Sequence, residues 1–312
     1  MKGRCQMVVL ERIKQKIQQF LEELESPLVL DLSQKLQSGK MLRSKLILSI
    51  TKENQEAILL CAIIEMIQNA SLLHDDVIDE APLRRSLPSI NALFGNKNAI
   101  MLGDVLYSKA YKELLYFAPK YPMIPKIIAD SVSVLAIGEM EDVAMAQSFN
   151  TQEKQYLAMI THKTAALIEA SAYGAAFLAG KNEQDALRFQ IYGRNLGIAF
   201  QIIDDVLDIV GNEETLGKPA LSDFREGKTT LPYIYLYHSL DKKGQERLKE
   251  AFKRDLDSKE QEWLLTQLKS SKAIEKSIQL AKDFGQKGIE AIYNQSCDKL
   301  ITIMSEMINR DF

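Results

Sequence analysis

One acidic pattern occurs twice in this chain, and it limits the possible folds more than any other feature. The first copy is Asp75-Asp76-Val77-Ile78-Asp79, led by Leu72-Leu73-His74. The second is Asp204-Asp205-Val206-Leu207-Asp208, led by Phe200-Gln201-Ile202-Ile203. Around the second copy, Leu196, Ala199, Phe200, Ile203, Val206 and Leu207 recur at helical spacing. On an α-helix, residues i and i+4 share a face. Asp75 and Asp79 therefore point one way, with Asp76 about 100° round the axis. Asp204, Asp208 and Asp205 repeat that arrangement. Like charges one turn apart repel, and carrying them into apolar surroundings costs more. A single copy would pass for a solvated acidic face, but two copies on apolar helices require cations. Carboxylates without His or Cys suit a hard ion such as magnesium, which keeps water and links protein carboxylates to substrate phosphates. Two such clusters facing across a cavity would clamp a diphosphate through several ions.

The rest of the chain reads as all-α. Eight prolines stand at 27, 82, 88, 119, 122, 125, 219 and 232, leaving long proline-free stretches with helical periodicity. Helices are expected over about 9–24, 41–51, 54–80, 89–95, 98–117, 124–147, 151–179, 184–211, 230–239, 243–254, 258–269 and 271–309. No alternating strand runs with hairpin turns appear. No linker rich in Gly, Ser or Pro divides the chain, so residues 1–312 read as one domain. The Ala/Gly-rich segment Ala165–Gly180 lets helices approach closely, as in a bundle of about 10–13 helices around a central cavity. Trp263, Leu264 and Leu268 fall on the core side of a late helix.

Hydrophobic residues make up 46% and charged residues 26%, which is ample material for a core. A net charge of −3 gives no basic excess for a nucleic-acid partner. Cys5, Cys61 and Cys297 match neither a zinc spacing nor a disulfide framework, which favours a reducing cytoplasm. The charged start, Met1 to Ile17, has no apolar signal region after it, and no stretch reads as a membrane span.

An anionic diphosphate also needs fixed cations. Arg84-Arg85 follow the first triplet across Pro82, and Lys40 and Arg43 lie in Gly39-Lys40-Met41-Leu42-Arg43-Ser44. Lys163-Thr164 lie mid-chain, and Lys218 and Lys228 follow the second triplet in Gly217-Lys218-Pro219 and Glu226-Gly227-Lys228.

With these residues the sequence resembles the all-α trans-isoprenyl diphosphate synthases, from about Gly39 to Pro232, and most closely the bacterial long-chain type. The resemblance implies three magnesium ions gripping an allylic diphosphate. They would be held by Asp75, Asp76, Asp79, Asp204 and Asp208, with Asp205 in support. Arg84, Lys163 and Lys218 match contacts to the allylic diphosphate, and Lys228 matches another basic residue of that group. Lys40, Arg43, Gln68 and Arg85 match the isopentenyl diphosphate site. Thr164 and Gln201 match polar groups near a developing cation. The family usually reads Gly-Lys-Arg-x-Arg-Pro at the first basic motif. Met41 and Ser44 depart from it here, which weakens the expected isopentenyl site. The implied reaction ionises the allylic C–O bond, lets the isopentenyl double bond attack the cation, and then loses a proton. Electrostatic preorganisation would carry it without a protein nucleophile. His74, His162 and His238 are scattered and read as structural or solvated.

The growing tail needs an apolar path. Ala70 and Ser71, one turn before Asp75, are small where short-chain members of the family carry aromatics. Ile67, Ile64, Ile63 and Leu60 come deeper, and Ile128, Val132, Leu135 and Ala136 are expected to face them. A helical turn of about 5.4 Å is comparable to one isoprene unit, so a product of about thirty-five to forty carbons is expected, the length commonly used for quinone side chains. The alternatives are a geranylgeranyl or shorter-chain diphosphate synthase of the same family, a terpene cyclase or head-to-head synthase on the same fold, and a non-catalytic regulatory subunit of a heteromeric synthase. By family resemblance the chain would form a homodimer and touch a membrane transiently on releasing product.

Overall fold

The computed structural model of the chain describes residues 2–37, 39–211, 221–295 and 297–310, with backbone alone for residues 2–7. The chain packs as two compact units, Met1–Val132 with Ala170–Gln190, and Ser133–Glu169 with Ile191–Phe312.

The first unit holds α1 (Lys2–Glu22), α2 (Pro27–Ser33), α3 (Leu42–Thr51), α4 (Gln55–Ile78), the two-residue strands β1 (Leu83–Arg84) and β2 (Leu87–Pro88), α5 (Ile90–Phe94) and α6 (Asn96–Leu114). Helix α4 is its centre. Asn54 starts it, accepting a 2.7 Å hydrogen bond from the Ala57 N–H. Every residue from Ala57 to Ile67 is buried, as expected for a helix apolar on all sides. Part of α4 is in fact apolar enough to cross a bilayer by length and composition, contrary to the sequence reading, but 78% of that window is buried inside the protein. Helices α6, α1 and α3 cover it. At Gly103 on α6, an added Cβ would overlap the His74 ring, so glycine is what lets His74 lie against α6.

Helix α7 (Met123–Met145) begins in the first unit and ends in the second. The second unit continues with α8 (Glu153–Ile160), a π-helical turn at Thr161–Ala165, the start of α9 (Ala166–Leu178) and most of α10 (Glu183–Val210). Then come α11 (Ser222–Glu226), α12 (Leu231–Ser239), α13 (Lys242–Ala251), α14 (Ser258–Ser270), α15 (Ala273–Ala291) and α16 (Asp298–Ile308). Phe224, Tyr233, Leu236, Leu264 and Leu268 form a buried cluster, with Trp263 packed at its margin.

The all-α class stands, and two element-level expectations are corrected. The helix expected over 271–309 breaks after Ala291. Asn294 and Asp298 are residue types whose side chains compete for backbone partners there. The short helix Pro27–Ser33 was not expected, although Ser26 caps it and Pro27 opens it.

Candidate active site

The first triplet occupies the last turn of α4. Asp79 is its C-cap, donating its N–H to the Asp75 carbonyl at 2.8 Å. A helix C-terminus carries partial negative charge, and this one has no basic residue in its last turn. Three carboxylates there concentrate negative potential. Arg84 answers part of it. Its Nε donates to Asp76 Oδ1 at 2.7 Å, its Nη2 binds the same oxygen, and Nη2 lies 3.6 Å from Asp75 Oδ2. Burial pushes the Asp76 carboxyl up, with Arg84 opposing. Burial alone would lower the Arg84 guanidinium, but Asp76 turns the balance upward. Asp75 and Asp79 keep partial exposure.

Arg84 and Arg85 sit on the hairpin that follows. Arg85 and Ser86 are its loop, at φ 53° and 63°. That is a two-residue turn normally made with Asn or Gly, so side chains hold it at a steric cost. Ser89 and Asn91 anchor its base, donating to the Ala81 carbonyl at 2.6 and 3.1 Å. The Arg85 Nη1 donates to the Gln37 carbonyl at 3.1 Å. A Cβ at Gly39 would collide with this guanidinium, so glycine admits it. Lys40 is exposed. The Arg43 Nε and Gln68 Oε1 are both buried without a hydrogen-bond partner. Two such orphaned polar atoms on residues matched to one substrate are consistent with a polar ligand taking that place.

The second triplet lies on α10 within the second unit. Its three carboxylates differ. Asp204 has a side chain 55% exposed and lies 3.5 Å from Arg310 Nη1. Asp205 is buried, and both of its oxygens are taken: Oδ2 accepts from the Tyr156 hydroxyl at 2.6 Å and Oδ1 from Gln201 Nε2 at 2.7 Å. Burial pushes its carboxyl well above the usual range. Asp208 is buried too. It accepts from Ser222 Oγ at 2.5 Å and from the Asp223 N–H at 3.1 Å.

Thr164 donates to Gln201 Oε1 at 2.7 Å, making a relay Thr164–Gln201–Asp205. Lys163 lies 2.8 Å from Glu139 and 2.7 Å from Asp142. Both residues sit on the π-helical turn, a distortion that often marks functional positions. Lys228 lies 3.1 Å from Glu226. Lys218 is outside the described residues. Ala70, Ser71 and Ile67 on α4, and Ile128, Val132 and Leu135 on α7, are all buried.

The histidines make ordinary contacts: His74 Nε2 to the Ile100 carbonyl, His162 to Glu141, and His238 to the Thr151 carbonyl. Sequence reasoning passed over Tyr156, Ser222, Glu139, Asp142 and Arg310. The last stacks on the Phe200 ring at 4.2 Å, one turn before Asp204. No local pattern marks these residues, because their partners are far along the chain.

Among the described residues, no trio of His, Cys, Asp or Glu converges as a ready-made metal cage. Taken separately, each triplet offers oxygen donors only, the chemistry that suits a magnesium ion completed by water and phosphate.

Helices bearing two acidic triplets, the first braced by the half-buried Arg84 and the second by the buried Tyr156 and Ser222, are the arrangement of the isoprenoid synthase class. The chain matches the polyprenyl synthetase family model over residues 27–268 and belongs to that family; it is a prenyltransferase. It is similar to octaprenyl diphosphate synthase from Haemophilus influenzae, 35% identical over 244 residues, covering 78% of this chain and 74% of that one. It is also similar to geranylgeranyl diphosphate synthase from Sulfolobus acidocaldarius, 34% identical over 278 residues, covering 86% and 82%. The crystal structure of octaprenyl pyrophosphate synthase from Helicobacter pylori superposes with a TM-score of 0.91 at 43% identity, covering 97% of this chain and 99% of that one.

Proposed function

We propose that residues 1–312 act as one prenyltransferase domain that adds isopentenyl diphosphate repeatedly to an allylic starter such as farnesyl diphosphate. The product is an all-trans polyprenyl diphosphate of about thirty-five to forty carbons. The observation that carries this is the division of labour inside each triplet. Asp76 is held by Arg84, and Asp205 by Tyr156 and Gln201. Asp75, Asp79 and Asp204 keep a solvent exposure that the buried Asp76, Asp205 and Asp208 lack, which suits them to meet cations beside a diphosphate. Magnesium, when bound, supplies Lewis-acid stabilisation of the leaving diphosphate. Asp75, Asp79 and Asp204 would hold it, with Asp76, Asp205 and Asp208 braced behind them.

The chain's own residues account for the remaining steps. Arg84, Lys163, Lys218 and Lys228 bring positive charge to the departing diphosphate, where preorganised charge counts most. Lys40, Arg43, Gln68 and Arg85 bind the isopentenyl diphosphate. The Thr164 hydroxyl proton is committed to Gln201, so its oxygen lone pairs can face a developing allylic cation. Ala70 and Ser71 leave room for the tail, and Ile67, Ile128, Val132 and Leu135 line its path.

The exposed Ile137, Met140 and Val143 recur along one side of α7, which suits the homodimer inferred from the family. The enzyme works in the cytoplasm and hands its product to a membrane. The Sulfolobus relative, at 34% identity, supports geranylgeranyl diphosphate as the second reading for the product.

The test is incubation of the purified single chain with farnesyl and isopentenyl diphosphates, with magnesium or with excess EDTA, followed by product sizing. Magnesium-dependent products longer than twenty carbons are expected. Products that stop at twenty carbons would sink the long-chain assignment. No condensation at all would favour the regulatory-subunit reading.

A further inference from the structure

The first turn of α3, which carries Arg43, has no cap of its own. Met41 stands at the N-cap with φ 50°, makes no capping hydrogen bond, and is buried. The neighbouring helix α4 supplies the missing partner. Glu65 Oε1 accepts from the Ser44 N–H at 3.3 Å and from Ser44 Oγ at 2.6 Å. One turn earlier on α4, Cys61 Sγ lies 3.7 Å from the Ser44 carbonyl. Helix α4 thus grips the hydroxyl, N–H and carbonyl of a single residue.

Glu65 is only 8% exposed, and a carboxylate so placed needs hydrogen bonds and counter-charge. Its charge acts on Arg43 and Arg85. Burial pushes the Arg43 guanidinium down to about 10, and Glu65 draws it back up. Burial lowers Arg85 too, with the same opposition from Glu65. Arg43 is next to Ser44 in the chain, and its Nε is buried without a hydrogen-bond partner. A buried guanidinium donor in that condition is suited to an anionic ligand.

We propose that Glu65 is a positioning residue for isopentenyl diphosphate binding: by holding Ser44 it sets the pitch of the first turn of α3, and so aims Arg43 at the diphosphate. The inference rests on the prenyl-transfer reading above. It gives the departure at Ser44 a meaning that the sequence did not. A proline there would lack the N–H that Glu65 binds, so in this chain the serine supplies two donors where the family pattern supplies none.

Steady-state kinetics of Glu65→Gln and Ser44→Ala test this. Glu65→Gln keeps the shape and an acceptor for Ser44 but removes the charge. Ser44→Ala removes one donor and leaves the carboxylate. Glu65→Gln should raise KM for isopentenyl diphosphate about tenfold, leaving kcat and KM for the allylic substrate within about twofold. Ser44→Ala should raise the same KM a few-fold, and the double variant should be no worse than Glu65→Gln alone. An unchanged isopentenyl KM in both variants overturns the proposal. So does a loss of kcat and both KM values together with a lower Tm, the mark of a merely structural residue. The wild-type chain in the same assay separates the two levels: no condensation there would defeat the prenyl-transfer reading itself.

Discussion

Tyr156 on α8 donates a 2.6 Å hydrogen bond to Asp205 on α10, and Gln201 closes the other oxygen. A buried carboxylate with both oxygens engaged cannot turn away, so Asp204, its neighbour, is held on a fixed scaffold. Removing one partner leaves a buried acceptor short of a donor, which costs about 1–3 kcal/mol. Tyr156→Phe should therefore lower unfolding free energy by about that amount in a denaturant titration; an unchanged midpoint would show that the bond is not made. At this scale the sequence revealed the two triplets and their basic neighbours, because i, i+4 spacing on apolar helices is a local pattern. It did not reveal Tyr156, Ser222, Glu139 or Asp142. These meet their targets only after folding, and a lone tyrosine or serine carries no periodic signal. The tie between Ser44 and Glu65 was hidden for the same reason.

The elements are arranged to place the π-helical turn that carries Lys163 and Thr164. Gly138 on α7 lies against its backbone, where an added Cβ would meet His162 C at 2.6 Å. Gly197 on α10 lies against it as well, where a Cβ would come 2.6 Å from the Ala165 Cβ. Replacing a helical glycine with alanine ordinarily gains about 0.5–1 kcal/mol. Here overlap with backbone should win, since overpacking typically costs about 1–3 kcal/mol. Gly197→Ala is expected to reduce stability and turnover together, and a raised Tm would refute the close approach. The Ala/Gly-rich run after Ala165 announced tight packing, and helix positions were legible from proline spacing and periodicity. The π-helical turn and the break after Ala291 were not, since both depend on how neighbouring helices crowd the chain. The short hairpin was equally silent, because Arg85 and Ser86 are not the residues that usually mark such a turn.

For the whole molecule, the proposed chemistry rests on the two acidic triplets, and the proposed product length rests on the small residues that precede the first. Ala70 is fully buried on α4 one turn before the triplet. A tyrosine there would fill the proposed path of the tail, so Ala70→Tyr should shorten the product sharply; an unchanged size distribution would mean that the tail runs elsewhere. The proposed function has both triplets serve a single diphosphate, and groups that act as a unit in one step show strongly non-additive losses. The decisive measurement is turnover of Asp75→Ala, Asp204→Ala and the double variant in saturating magnesium. Each single change should cut kcat by about a hundredfold or more, with the double variant little worse than the poorer single. Full turnover in either single variant, or losses that simply multiply in the double, would contradict that claim.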